Sequence, residues 1–121
     1  MKLEKAVAGL VGLFFVAFGF WSFIKPSSFY AQIAGFGSYN RHFLHDIGAF
    51  QIGIGATLLL AALWNDALGV ALAGAGLGSV FHAVAHWWDR HLGGRASDPY
   101  VLTALAAVLV AAALARRRST G

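Results

Sequence analysis

Six side chains in this sequence have types and spacing that could do chemistry: His42, His45 and Asp46 in one stretch, His82, His86 and Asp89 in another. At about 100° per residue of helix, the first three share an arc of about 100° and the second three an arc of about 60°. Each trio therefore forms a polar stripe on one helix face. Histidine and aspartate one turn apart can ligate a metal, exchange protons with a bound molecule, or tie two helices together.

For metal chemistry, His45, His82, His86 and Asp89 are the candidate ligands of a zinc, copper or non-haem iron site, and His45 with His82 or His86 could hold non-covalent haem. The chain has no cysteine, so thiolate sites, covalent haem, cysteine nucleophiles and disulfides are excluded. Neither stripe contains a glutamate, so His-Glu-x-x-His and the Glu-x-x-His pattern of di-iron bundles are missing. A second reading takes all six residues as hydrogen-bond or proton-exchange partners of a quinone or lipid head group. A third pairs Arg41 and Arg90 with Asp89 and Asp46, so that the network only pins two helices together. The sequence leaves all three open and requires no cofactor. It shows no catalytic motif: Ser79 lies one turn before His82 without a third partner, and Gly74 to Gly78 lacks G-x-G-x-x-G spacing.

The elements that position these residues follow from composition. Of 121 residues, 59% are hydrophobic and 12% charged, where about 25% charged is usual for soluble domains. Adding the 15 glycines brings the apolar share to about 71%. So small a soluble domain could not build a polar skin from this composition, and the lipid bilayer is its expected surrounding. The net charge of +4 comes from residues at segment ends, which excludes a nucleic-acid surface.

The expected fold is all-α, a single-domain transmembrane four-helix bundle. Four apolar segments, about 3–24, 41–64, 66–88 and 99–115, match or approach the roughly 20 residues that cross a bilayer. A short interfacial helix is expected between spans one and two: Pro26-Ser27-Ser28 reads as its start, Phe29, Ile33 and Phe36 repeat at helical spacing, and Gly35 and Gly37 end it. The first span is too long for a signal-peptide core and is expected to remain in the protein. Asn65 or Asp66 is the expected cap of span three, and Asp98-Pro99 the start of span four.

Four spans place both termini on one side. The Arg116-Arg117-Arg118 tail with Lys2 and Lys5 puts that side in the cytoplasm, by five Lys/Arg against the four at Lys25, Arg41, Arg90 and Arg95. With the second turn centred between Asn65 and Asp66, His45 lies level with His86 and His42 with Asp89. His82 then stands about 24 Å and His86 about 30 Å up the helix from Asp66. Ala49, Gly53 and Ala56 would face Ala71, Ala75 and Gly78, and small residues at matching depth suggest close packing of spans two and three. Gly9, Gly12 and Gly19 suit packing as well, and Gln51 suits a bond to span one or four.

Three stretches carry a resemblance: Pro26-Ser-Ser-Phe-Tyr30, Tyr39-Asn-Arg-His-Phe-Leu-His-Asp-Ile-Gly-Ala49, and His82-Ala-Val-Ala-His-Trp-Trp-Asp-Arg-His-Leu-Gly-Gly94. In these the chain resembles small four-span integral membrane proteins of actinobacteria and, more loosely, the DoxX-like group. The resemblance implies a four-helix bundle in a bacterial cell membrane; separately from it, the expected partners are the lipid bilayer and a second copy of the chain or a larger membrane complex. It implies no catalytic residue.

Overall fold

A computed structural model describes every residue from Met1 to Gly121 and shows five helices. Helix α1 spans Lys2–Ile24 and stops where Lys25 leaves the helical region (φ −127°, ψ 65°) ahead of Pro26. Pro26 opens the short α2, Pro26–Gln32, at the position where its missing N–H costs nothing. Helix α3, Arg41–Trp64, starts under an Asn40 cap whose side-chain oxygen accepts from the Phe43 N–H at 3.0 Å. Helix α4 covers Leu68–Trp88 and α5 covers Asp98–Thr120. The four long helices are each long and apolar enough to cross a membrane, and α2 lies between the first two.

Three boundaries differ from expectation for local reasons. Neither Asn65 nor Asp66 caps α4: Asn65 ends α3 in the left-handed region (φ 54°), and Ala67, also left-handed (φ 53°), holds the cap position without a side-chain bond. Asp98 is the first residue of α5 rather than its cap, and its Oδ2 accepts from the Arg95 N–H at 2.8 Å to close the preceding turn. Helix α5 continues past Ala115 through the three arginines to Thr120. Arginine is a good helix former, and cations at a helix C-terminus interact favourably with its dipole, so the helix outlasts the apolar segment.

The spans pack as two close pairs. In the first, α1 lies against α3 with glycine facing glycine. A Cβ at Gly55 would stand 2.6 Å from the Gly12 carbonyl oxygen, and one at Gly48 would stand 2.7 Å from that of Gly19. Gly12 and Gly19 are seven residues apart, as are Gly48 and Gly55, so two turns of each antiparallel helix bring both contacts onto one seam. Ser22, fully buried, donates to the Leu44 carbonyl at 2.7 Å on the same seam. In the second pair α4 lies against α5, with Gly76 under Val110 and Leu109 and the Trp87 indole N–H donating to Thr103 at 3.0 Å.

The expected close packing of α3 on α4 is not found. A Cβ at Gly53, Gly74 or Gly78 would meet nothing within 4 Å. The reason is angular: Gly53 lies about 160° round the helix from Gly55, so the face that meets α1 turns Gly53 away from that seam. The two pairs join instead through a core of Ala8, Val11, Phe15, Leu58, Ala61, Leu68, Leu72, Leu109 and Ala112. Most of these residues sit toward the end that holds the termini and the α3–α4 turn. The core thus joins the two pairs toward that end and leaves the other end parted, while α3 and α4 stand apart along a groove that reaches down to their turn.

Across the parted end runs a single clip. Phe36 pairs with Gly93 in an isolated antiparallel bridge, and the Gly94 N–H donates to the Gly35 carbonyl at 3.4 Å. Gly93 (φ 145°) and Gly94 (φ 75°) adopt conformations that a side chain would oppose. Phe36 was expected on the interfacial helix; α2 stops at Gln32, and the Phe36 ring lies over Gly94 instead. Helix α2 is held down by Phe29, which is buried edge-on against Trp21, and by the Trp21 indole N–H donating to Ser28 at 3.1 Å.

Candidate ligand-binding groove

The two polar stripes reach the parted end, but they do not face each other as a set. His82 and His86 stand edge to face at 4.9 Å between ring centroids, and Phe36 meets His86 at 5.3 Å. His45 turns the other way and lies against Phe23 of α1 at 5.3 Å. It sits on the same side of α3 as Gly48 and so joins the α1 seam. His42 and Asp46 pair with each other at 3.4 Å on the exposed start of α3. Asp89 ends α4 and forms no ion pair.

This geometry bears on each sequence-based reading. No three His, Asp or Glu side chains come near enough together to hold a metal ion, and His45 would have to leave Phe23 to share one with His82 or His86. The pinning network through Arg41 and Arg90 is not formed. The ion pairs of the chain are His42–Asp46 and the N-terminal ammonium with Glu4 at 2.6 Å, while the Arg90 guanidinium lies 5.8 Å from the Trp87 ring centre.

What the parted end does form is a chamber and a groove. The chamber, about 560 Å³, lies under the Phe36 clip and is lined by Tyr30, Phe36, Asn40, Phe43, Ile47, His82, His86 and Asp89, among others. The groove, about 1050 Å³, runs between α3 and α4 down to Trp64 and Asp66. Its floor includes Phe15 of α1. Phe50, Ile54 and Leu60 wall it on α3, and Val70, Gly74, Ala75 and Gly78 on α4. Phe43, Ile47 and His82 line both spaces, so the chamber and the groove adjoin at these three side chains. From Val70 to His82 the groove follows about 18 Å of helix, more than half of an apolar bilayer core.

Polar groups stand along this groove at membrane depth. Gln51, expected to bond α1 or α5, lines it and bonds no protein group. Ser79 is only 5% exposed, and it too lines the groove. No fully enclosed side-chain polar atom lacks a partner, so the Ser79 hydroxyl, which bonds no protein group, must reach the groove space. Thr57 is satisfied internally, donating to the Gly53 carbonyl at 2.8 Å. An unpaired polar group in hydrocarbon costs on the order of 2–7 kcal/mol, so Gln51 and Ser79 call for a polar guest or water in the groove.

Sequence reasoning gave the histidines and aspartates of this end but missed Tyr30, Phe36, Phe43, Gln51 and Ser79 as lining residues. A signal existed for Phe36: Gly35-Phe-Gly37 and Gly93-Gly94 are two glycine turns on the same side of the membrane, free to approach each other closely. Comparison with protein-family models, curated proteins and solved structures returns no match for this chain.

Proposed function

We propose that this multi-pass membrane protein binds one amphipathic molecule, taken laterally from the bilayer, with its chain along the α3–α4 groove and its head in the chamber. The observation that carries this reading is the adjacency of the two spaces, which share Phe43, Ile47 and His82 in their walls. A chamber walled by aromatic rings and a few convergent polar groups, beside an apolar groove, has the composition of a small-molecule site. Each imidazole, when neutral, offers one donor and one acceptor to the head. Gln51 and Ser79 offer further bonds to a polar group partway along the chain.

The site is complete within one chain, so binding needs no second copy. Lys2, Lys5 and the three arginines of the α5 tail gather at the joined end of the bundle. The positive-inside bias supports a cytoplasmic location for that end, which gives the chamber to the outer interface. The resemblance to DoxX-like four-span proteins is in keeping with the architecture and adds nothing about the ligand.

The test compares the organic extracts of purified wild type, His82→Ala and His45→Ala by mass spectrometry. Wild type and His45→Ala are expected to retain the same stoichiometric amphiphile and His82→Ala to lose most of it. Equal loss in both variants, or no retained molecule in any of them, would count against the reading.

A further inference from the structure

The charge around the chamber and groove is one-sided. Of the five acidic residues in the chain, Asp89 lines the chamber, and Asp46 and Asp66 line the groove at its near and far ends, whereas none of the nine lysines and arginines lines either space. This occurs in a protein whose net charge is +4. The cations at the same end are directed elsewhere: Arg90 lies over Trp87, and Lys25, Arg41 and Arg95 are exposed outside the lining. Asp89 therefore borders the chamber without a positive partner, and Asp46 has only the imidazole of His42.

We propose that the head group held by the chamber is a cation, so that the ligand of the α3–α4 groove is a lipophilic ammonium or phosphonium compound. The inference rests on the groove being a binding site and names the class of its occupant. An anionic head, such as a phosphate diester, would meet Asp89 with no lysine or arginine in the chamber lining to offset the repulsion. A neutral head would bond the histidines but leave Asp89 unpaired. A cation satisfies the Asp89 carboxylate and also gains from the aromatic rings of Tyr30, Phe36 and Phe43, which line the same chamber. Bulky, weakly hydrated cations carry apolar substituents, and these suit the aromatic chamber and the apolar groove below it.

The experiment uses the full chain in nanodiscs of phosphatidylcholine and three probes: dodecyltrimethylammonium, dodecyl sulfate with the same chain, and uncharged dodecanol. Binding is followed by equilibrium dialysis. Dodecyltrimethylammonium is expected to bind saturably and to exceed the other two. Asp89→Asn is expected to weaken it about fivefold, and Asp89→Glu to restore it. If dodecyl sulfate or dodecanol binds as tightly, or if Asp89→Asn leaves the ammonium unaffected, the cationic class is overturned while the groove stands as a binding site. If no probe saturates and Gly78→Trp changes nothing, the groove itself is not a binding site and both readings fall.

Discussion

At the scale of single residues, glycine does two opposite jobs in this chain, and each can be tested. Gly48 and Gly55 stand where a Cβ would strike the backbone of α1 at 2.7 and 2.6 Å, so neither helix can yield by rotating a side chain. Replacing either by alanine should cost about 1–3 kcal/mol, the usual range for overpacking a close contact. Gly53 and Gly78 face open space, and alanine there should be neutral or stabilising by up to about 1 kcal/mol through helix propensity. Denaturation in detergent across the four variants measures the contrast. A loss at Gly53 or Gly78 as large as at Gly55 would mean that α3 and α4 do touch. Much of the site was legible at this scale because ionisable residues are so few: His82, His86 and Asp89 drew attention by type alone. Gln51 and Ser79 were not legible, since a lone amide or hydroxyl on an apolar helix has the same appearance whether it faces a neighbour or a groove.

At the scale of elements, the membrane spans and the short α2 could be read from composition and from the Lys25-Pro26 stop. Their pairing could not. Small residues at matching depth pointed to α3 against α4, yet the same argument applies to any two helices that carry glycine. Gly12 and Gly19 share a seven-residue interval with Gly48 and Gly55, which puts two contacts on one seam, but Gly69 and Gly76 of α4 have the same interval, so spacing alone does not single out the pair. The clip between the α2–α3 loop and the α4–α5 loop is the second element that sequence spacing did not disclose, because it depends on two backbones meeting. Gly93→Ala should break it, since a side chain there opposes φ 145° and crowds the Gly35 carbonyl. Faster tryptic cleavage after Arg95, with the helical content unchanged, is the expected result. Unchanged cleavage would mean that the clip does not hold the loop. The cap of α3 offers a smaller effect: Asn40→Ala removes the bond to the Phe43 N–H and should lower stability by about 1 kcal/mol in the same denaturation assay.

At the scale of the whole molecule, the protein is two close helix pairs joined by a core at one end and parted at the other, with a clip across the opening. That asymmetry follows from where the large buried side chains lie. Leu58, Leu68, Leu72 and Leu109 are at most 2% exposed and fill the joined region, while glycine and alanine dominate the α4 wall of the groove. The central claim is that the parted side is a loaded binding groove rather than a gap closed by lipid at large. The absence of any cysteine and the open space at Gly78 make a plug simple to install: Gly78→Trp fills the groove, and Gly9→Trp, where a Cβ also meets nothing within 4 Å, serves as the control outside it. Native mass spectra of the three proteins, released from the same detergent, test the claim most directly. The account predicts a bound small-molecule mass on wild type and Gly9→Trp that disappears from Gly78→Trp. The same adduct on all three proteins, or on none, would contradict it.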